Sequence, residues 1–305
     1  MNRSFLYDLL TDPATGEELL LNEITGDLES KYSGRKYQIN KSIPSIFLNE
    51  NQEVARSTFH NDHGSVFKYR EHYQKDADTF DYTEQSLSMA TKDELVRLRE
   101  SIIAEITSDL LIVLDAGCGN GWVSKKLIPL GKKVISMDIS STNPARAVEE
   151  LTDENHAGLI ADVYNLPLKA ESIDCIIASE ILEHLPDPKL VITKLLRVLK
   201  PGGKLIITVP YKEKIEYYLC VHCNKPTPKF AHLHSFDEIL FRELIPKDRV
   251  IWSCRKLINK YISRLRTYIF LRYLPFSVWS IIDSSFNRII NQPTRLQIVV
   301  KKIQE

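Results

Sequence analysis

Three glycines lie within five residues of one another in the stretch "VLDAGCGNG", residues 113–121. The whole chain has only 11 glycines among 305 residues, so this concentration is unusual. Gly117, Gly119 and Gly121 follow an apolar run that ends in Asp115, and a helical pattern begins at Trp122. Because glycine has no Cβ, a glycine turn lets the backbone approach a ligand closely. The stretch therefore predicts a ligand-binding turn between a strand and a helix.

The spacing of these glycines argues against two phosphate-binding loops. The dinucleotide fingerprint G-x-G-x-x-G needs a third glycine for close packing of helix on strand, and bulky Trp122 stands at that position. A P-loop needs a Lys-Ser/Thr pair after its last glycine, and no such pair follows Gly121. The turn is therefore not expected to cradle a pyrophosphate.

Alternating strand and helix patterns place this turn within a larger sheet. Five strands are predicted at 111–115, 133–138, 157–161, 173–178 and 204–209, with two more near 249–254 and at 295–302. Strands that alternate with helices are typical of a parallel sheet with crossover helices. The predicted fold class is therefore α/β, a Rossmann-like doubly wound sheet of about seven mostly parallel strands. A small β-rich N-terminal unit precedes it, and a helical insertion comes before the last strand.

From Val113 to Pro210 the chain resembles the class I S-adenosylmethionine-dependent methyltransferases of the small-molecule type, with several family motifs in the right order. The resemblance implies that the turn wraps the methionine moiety of the cofactor. An acidic residue at the end of the second strand can accept both ribose hydroxyls. The residues that match the cofactor motifs are Asp115, Gly117, Gly119 and Gly121 for the methionine moiety, Asp138 and Ile139 for the ribose, Asp162 and Val163 for the adenine, and Ser179 beside the reacting methyl group.

The segment "SEILEHL", residues 179–185, supplies the candidate catalytic residues Glu180 and His184. A hydroxyl nucleophile must be aligned with the S–CH₃ bond and needs a base, for which His184 is the best-placed candidate. The segment also resembles the Glu-x-x-Glu-His group of ubiquinone-pathway O-methyltransferases, which implies a divalent metal at Glu180, Glu183 and His184. Adjacent residues do not share a helix face, so such a metal requires a distorted turn. For His184, the roles of base, metal ligand, pocket residue and packing residue stay open.

Four soft metal ligands fall within residues 220–234, "CVHCNKPTPKFAHLH". Cys220 and Cys223 form the usual half of a zinc site, although the His232-x-His234 pair is shorter than the common spacing. Alternate residues of an extended segment share one face, so both imidazoles could point at one metal. Structural zinc is one interpretation. Free thiols beside a hydrogen-bonded histidine pair, or a redox role for the cysteines, are the others.

Residues 1–48 resemble the small zinc ribbon that precedes many methyltransferase domains, without its metal ligands. Asp12 and Thr15 stand where one Cys-x-x-Cys pair would be, and Ser30 and Ser33 stand where the other would be. A tetrahedral zinc site needs thiolates or imidazoles at such positions, so we predict no zinc here. A unit this small is expected to gain stability by docking on the main domain, and to be unfolded when expressed alone.

The sequence thus divides into residues 1–48, a helical linker and cofactor lid at 49–108, and a methyltransferase domain at 109–305 with insertions at 211–234 and 255–292. The lid segment is rich in aromatic residues, which either close over the cofactor or serve in ordinary packing. They are Tyr69, His72, Tyr73, Phe80 and Tyr82.

The apolar segment 268–290 is a poor transmembrane span, because it carries Arg272, Asp283 and Arg288. It is expected to pack in the core or over a pocket, or to touch a membrane surface as an amphipathic helix pair.

Composition limits the classes of function. The chain has 40 Lys and Arg against 40 Asp and Glu, so it lacks a global basic field and no nucleic-acid partner is expected. Its five cysteines and the lack of a leader pattern in residues 1–10 favour a reducing cytoplasm. We expect a cytoplasmic enzyme that methylates a small-molecule acceptor at oxygen or nitrogen. An RNA or protein methyltransferase and a non-catalytic cofactor-binding scaffold are the alternatives, and the oligomeric state is not indicated.

Overall fold

Strands and helices alternate along most of the chain. The computed structural model describes residues 5–48, 58–60, 66–80 and 87–303. The strands are β1 (Leu19–Leu21), β2 (Leu28–Ser30), β3 (Lys36–Tyr37), β4 (Ile39–Asn40), β5 (Ile43–Ile46), β6 (Thr58–His60), β7 (Val66–Lys68), β8 (Ile112–Ala116), β9 (Lys133–Asp138), β10 (His156–Ala161), β11 (Ile173–Ser179), β12 (Leu199–Pro210), β13 (Tyr217–Leu219), β14 (Pro226–Pro228), β15 (Val250–Asn259) and β16 (Pro293–Lys302). The α-helices are α1 (Tyr69–Thr79), α2 (Met89–Ile103), α3 (Trp122–Leu127), α4 (Thr142–Glu150), α5 (Pro188–Val198), α6 (Glu238–Leu244), α7 (Lys260–Arg264), α8 (Tyr268–Leu271) and α9 (Phe276–Ile289). Short 3₁₀ turns occupy Tyr7–Leu9, Ile128–Leu130, Val163–Asn165, Leu182–His184 and Lys229–Ala231.

Nine strands form the central sheet, in the order β15–β16–β12–β11–β8–β9–β10–β5–β4. The pairs from β12 through β5 are parallel, whereas β15, β16 and β4 are antiparallel to their neighbours. This architecture confirms the predicted α/β fold, and each of the seven predicted strands is present. The two additional strands come from the N-terminal segment, because β5 pairs in parallel with β10, with Ser45 opposite Ile160, and β4 forms a hairpin with β5.

Both faces of the sheet are covered, as a doubly wound fold requires. Successive residues of a strand point to opposite faces. Accordingly, Val113 of β8 packs in one apolar cluster with Val134 of β9, whereas Leu114 packs in another with Ile135. All four side chains are fully buried, and each such burial stabilises the fold by about 1.5–3 kcal/mol. The ends of the parallel strands are therefore held firmly at one edge.

The N-terminal unit is docked on the main domain, as the sequence led us to expect. Strands β1–β3 form a small antiparallel sheet, and Leu10 and Leu28 belong to the same buried cluster as the central strands. The Lys169 N–H donates to the carbonyl of Leu9 at 2.8 Å, and Leu10 forms a β-bridge with Leu168. Unfolding of this unit in isolation stays a prediction.

Hydrogen bonds join the two turns in which a zinc ribbon has its ligands. The buried Asp12 carboxylate accepts the Thr15 N–H at 3.3 Å, the Arg35 guanidinium at 3.2 Å and the Ser33 hydroxyl at 3.1 Å. The Ser33 N–H donates to the Ser30 hydroxyl at 3.3 Å. A polar network therefore links all four positions at which the sequence lacks thiolates.

Two insertions extend from the sheet, and the second begins at 260 rather than at the predicted 255, because β15 continues to Asn259 in its pairing with β16. Residues 217–228 form the hairpin of β13 and β14, and α7, α8 and α9 form the helical insertion before β16. Buried Arg97 of α2 ties that insertion down, donating to the carbonyls of Leu271 at 2.6 Å and Leu274 at 3.1 Å. Among the described residues, no helix is both long and apolar enough to cross a membrane.

Candidate active site

A cavity of about 510 Å³ opens at the carboxyl edge of the parallel strands, where open α/β sheets bind ligands. Its wall combines the turn after β8 with the ends of β9, β10 and β11, and helices α1 and α2 also contribute. Both predicted catalytic residues, Glu180 and His184, line it. So do most of the predicted cofactor-binding residues, namely Gly117, Gly119, Asp138, Ile139, Asp162, Val163 and Ser179. Asp115 and Gly121 lie outside the lining.

The three glycines of the turn differ in what a side chain at each position would meet. All adopt positive φ, at +78° for Gly117, +48° for Gly119 and +66° for Gly121. A Cβ at Gly117 would lie 2.5 Å from Cγ2 of Ile181, and a Cβ at Gly121 would lie 2.8 Å from Cβ of Ala147. A Cβ at Gly119 would meet open space. Only Gly119 therefore leaves room on its Cβ side, whereas the other two allow close packing within the protein.

Two carboxyl groups lie in neighbouring strands: Asp115 of β8 is buried, and Asp138 at the end of β9 is half-buried. Asp138 Oδ1 accepts the Ser140 N–H at 2.9 Å, and its Oδ2 accepts the Asn143 amide at 3.1 Å. Burial raises the pKa of Asp138, and these hydrogen bonds oppose the rise. Burial, with Asp138 nearby, raises the pKa of Asp115 to about 8, and its Oδ2 has no hydrogen-bond partner. A positively charged ligand group near this pair would be stabilised.

Asp162 is bonded to the helical segment that precedes the sheet. Its Oδ1 accepts the Tyr164 N–H at 2.9 Å, and its Oδ2 accepts the hydroxyl of Tyr69 on α1. Val163 lines the cavity beside it. The carboxylate is thereby oriented at the cavity wall.

Helices α1 and α2, which come from the segment predicted to form a lid, both contribute residues to the cavity wall. Tyr69 and Tyr73 of α1 line the cavity, and Gln74 fixes α1 by accepting the N–H of Ser141, just after β9, at 2.8 Å. The other predicted lid aromatics differ: His72 and Phe80 are not among the lining residues, and Tyr82 lies outside the described residues.

Strand β11 leads into a residue with an unusual backbone. Glu180 has φ +55°, a region that side-chain-bearing residues rarely adopt. Its N–H donates to the Thr208 carbonyl at 2.9 Å, and its Oε2 pairs with Arg295 at 2.7 Å. Ser179 shares a hydrogen bond of 2.9 Å with the Thr208 hydroxyl. The second carboxylate oxygen of Glu180 is buried without a partner, so it is available to a ligand.

Three side chains that could hold a metal ion converge at this end of the cavity: Glu183, His184 and His232, whose ligand atoms lie within 4.8 Å of one another. Glu183 Oε2 and His184 Nδ1 are buried and have no hydrogen-bond partner. Burial, with Glu180 nearby, raises the pKa of Glu183 well above its usual range. Burial and the neighbouring His232 lower the pKa of His184 to about 4.

The expected obstacle to a shared metal, that adjacent residues do not share a helix face, does not apply here. Glu183 and His184 lie in a single 3₁₀ turn, Leu182–His184, rather than in a regular helix, and their ligand atoms meet. Glu180, by contrast, is not in the group, because its carboxylate pairs with Arg295. The third candidate ligand is His232, from the insertion.

The four-ligand site predicted from Cys220, Cys223, His232 and His234 is not assembled. Both cysteines have free thiols, and they lie at the tip of the β13–β14 hairpin, where Cys223 is exposed. Within the part of the chain that the structure describes, the one group of three or more metal-ligating side chains includes His232 but neither cysteine nor His234.

His232 and His234 lie apart from the two cysteines because the histidine segment is hydrogen-bonded to the loop after β11. The Leu233 N–H donates to the Glu183 carbonyl at 2.6 Å, and His234 Nε2 bonds to a backbone carbonyl of the same loop at 3.0 Å. His232 pairs with Glu213 and packs edge-on against His184, with ring centroids 4.8 Å apart. The His-x-His pair therefore belongs to the cavity side of the molecule.

Sequence reasoning missed several contributors to the site. Asn143, which holds Asp138, carries a weak signal as a polar residue at the start of the helix after that strand. Arg99 of α2 lies over the Trp122 ring at 5.2 Å, and both residues line the cavity. No pattern in the sequence connects those two positions, so only the fold could reveal the pair.

Comparisons with known proteins relate the central part of the chain to methyltransferases. Residues 114–207 match the family model described as "Methyltransferase domain". A ubiquinone biosynthesis O-methyltransferase from Coxiella burnetii is 36% identical over 98 residues, which cover 32% of this chain and 42% of that protein. The mitochondrial ubiquinone biosynthesis O-methyltransferase of Homo sapiens is 31% identical over 113 residues, covering 35% of this chain and 31% of that one. The match thus spans less than half of these relatives.

A solved structure of Haemonchus contortus phosphoethanolamine N-methyltransferase 2, in complex with S-adenosyl-L-methionine, aligns with a TM-score of 0.50 at 15% identity. The alignment covers 76% of this chain and 60% of that one. At this identity the likeness shows a shared fold and nothing finer.

Proposed function

Because residues 114–207 match a methyltransferase domain, we propose that this chain is an S-adenosylmethionine-dependent methyltransferase acting at oxygen or nitrogen of a small-molecule acceptor. One observation carries the proposal: a single cavity joins the turn and strand ends of the cofactor motifs to the polar group around His184. A shared fold alone supports many activities. This cavity supports methyl transfer more specifically, because the cofactor and the acceptor could lie side by side in it.

We assign the cofactor to the strand ends. Its methionine end is placed at the turn of Gly117 and Gly119, and its ammonium group near Asp115 and Asp138, which would explain a buried carboxyl group with an unpartnered oxygen. Asp138 would accept the ribose hydroxyls. The adenine would lie against the segment of Asp162, with Ile139, Val163 and Ser179 completing the wall. Gly121 would act indirectly, by keeping α3 close to α4.

The acceptor is assigned to the space between Tyr73, Glu180 and His184, which all line the cavity. In this arrangement His184 is a weak base. Its pKa is lowered to about 4, whereas a phenol has a pKa of about 10, so proton transfer from such an acceptor is uphill by about 8 kcal/mol. A hydroxyl acceptor would therefore need further activation, whereas a neutral amine could attack without prior loss of a proton.

A divalent cation fits the group of Glu183, His184 and His232. A carboxylate and two imidazoles are a suitable donor set for zinc and related ions, and two of the donor atoms are buried without partners. When bound, the ion would supply Lewis-acid stabilisation of a developing acceptor oxyanion. Tyr73, whose ring packs edge-on against His184 with centroids 5.7 Å apart, would help to exclude water.

We further propose that the chain has the three-part organisation expected from its sequence, with residues 1–48 as a zinc-ribbon-like unit that holds its turns through Asp12. The strands β4 and β5 make this unit continuous with the central sheet. The absence of thiolates at its ligand positions and the hydrogen bonds of Asp12 support a unit that folds without metal.

Calorimetric titration with S-adenosylmethionine and S-adenosylhomocysteine tests the proposed function. We expect both to bind, and we expect Asp138→Ala to weaken binding by at least about 100-fold, since two hydrogen bonds to a charged group are lost. Asp248→Ala, which changes an exposed aspartate on a loop, is the matched control. Absence of any heat with the unaltered protein would refute the proposal, and equal affinities for both variants would refute the role of Asp138.

A further inference from the structure

Helix α9 buries two polar side chains beside Trp279 and exposes apolar side chains on its opposite face. Asp283 and Asn287 lie on its buried face, where Asp283 accepts the N–H groups of Ile258 at 3.0 Å and Asn259 at 2.7 Å. Residues of a helix are about 100° apart, so positions 278, 281, 285 and 289 form one stripe opposite that face. The apolar members of this stripe are Val278, Ile281 and Ile289, of which Ile281 is 67% exposed and Ile289 is 83% exposed. A helix that merely covers the core of a water-exposed protein has the reverse arrangement.

The same insertion exposes further apolar side chains. Phe270 of α8 is 78% exposed and Tyr273, just after α8, is 77% exposed, and Leu265 is also largely exposed. So many exposed apolar side chains on one short segment indicate a surface that contacts another molecule or a membrane.

The charge of the segment indicates what it binds. Between residues 260 and 292 the sequence has five basic residues and one acid. That acid is Asp283, which is buried and hydrogen-bonded, so the segment exposes no acidic side chain, whereas Lys260, Arg266, Arg272 and Arg288 are exposed. The basic residues are Lys260, Arg264, Arg266, Arg272 and Arg288. Since the whole chain has a net charge of zero, this is a local concentration.

We propose that the helical insertion, residues 260–292, binds the surface of an anionic lipid bilayer. Its apolar side chains would enter the boundary between headgroups and acyl chains, and its basic residues would face the acidic headgroups. A second copy of this chain fits less well, because a two-fold interface on this face would bring the same positive charges together. This binding goes beyond methyl transfer, and it does not depend on the identity of the acceptor.

Co-sedimentation with vesicles tests the proposal on the full chain. We expect the protein to bind vesicles that contain phosphatidylglycerol at least tenfold more tightly than vesicles of phosphatidylcholine alone, and we expect salt to weaken this binding. Ile281→Asp combined with Ile289→Asp should weaken it at least tenfold. The control variant, Ile24→Asp combined with Val221→Asp, alters side chains that are 96% and 98% exposed elsewhere, and should bind like the unaltered protein.

Thermal unfolding checks that each variant is folded. If the aspartate pair on α9 proves unstable, Arg272→Glu combined with Arg288→Glu decides the matter, because it should abolish the preference for phosphatidylglycerol. The proposal is overturned if the unaltered protein ignores phosphatidylglycerol vesicles or if both α9-region variants bind them normally. It is also overturned if sedimentation shows a dimer that these variants dissociate while no vesicle binds.

Discussion

The cavity has two halves that are built in different ways. In the half assigned to the cofactor, the wall is made by the ends of adjacent parallel strands, at Gly117, Asp138 and Asp162. In the half assigned to the acceptor, His184 follows a strand, but His232 comes from an insertion nearly 50 residues away and Tyr73 comes from helix α1. A sheet fixes the first half by register, whereas the second half depends on how separate segments pack.

This difference has a consequence for specificity. Residues at strand ends cannot shift without disturbing the close-packed, buried strands that hold them. The insertion at 211–234 is mostly half-buried or exposed, and its side chains can change while the sheet stays intact. The acceptor half can therefore diverge while the cofactor half is retained.

Gly117→Ala should have the largest effect, and it tests the rigidity of the cofactor half. The new Cβ would lie 2.5 Å from Cγ2 of Ile181, at a φ of +78°. We expect the affinity for S-adenosylhomocysteine to fall at least about 100-fold in calorimetry, because the turn must move. Gly131→Ala, with φ +75° and open space, should cost only about 1–2 kcal/mol of stability and leave binding unchanged. If adding Ile181→Ala restored the affinity, the clash would be shown to be the cause. Undiminished binding by Gly117→Ala itself would contradict the assignment of the cofactor to this turn.

His232→Ala should have the next largest effect, confined to the acceptor half. We expect methyl transfer to fall by about 10²–10⁴, in the range of a lost acid–base or metal-supported contribution. Affinity for S-adenosylhomocysteine should stay within about threefold, since the strand ends are untouched. Metal analysis should show a bound divalent ion in the unaltered protein and its loss in the variant. The control is His222→Ala on the exposed hairpin, and a matching loss of cofactor affinity in His232→Ala would mean that the two halves are not separable.

Asp12→Ala should have a smaller effect, on stability alone. It leaves the Ser33 hydroxyl and the Arg35 guanidinium without their buried acceptor, so the free energy of unfolding should fall by about 3 kcal/mol in urea titration. Binding of S-adenosylhomocysteine should hardly change, because none of residues 5–48 lines the cavity. Glu23→Ala is an exposed control. A large drop in affinity in Asp12→Ala would show that the cofactor half needs this support.

The sequence was most informative where function depends on residues close together in the chain. The glycine turn and Asp162 directly follow predicted strands and Asp138 ends one, so their meeting follows from parallel strand topology. The sequence could not show that packing requires glycine at position 117, because Ile181, which a Cβ there would meet, lies more than 60 residues away in the chain.

Longer-range arrangements could not be read from patterns. The addition of β4 and β5 to the sheet depends on pairing with β10, which leaves no local signature. The spacing of Cys220, Cys223, His232 and His234 suggested one metal site, but spacing does not report where a segment is anchored, and Leu233 binds the loop of Glu183 instead.

The guanidinium of Arg97 connects a wall of the cavity to the helical insertion. This side chain of α2 donates hydrogen bonds to two backbone carbonyls of the insertion, and the next residue, Leu98, lines the cavity. A foreign insertion grafted onto this scaffold would leave the buried guanidinium with only its ion pair to Glu100, unless the graft also presented carbonyls at that position. The two pieces must therefore be inherited, or engineered, together.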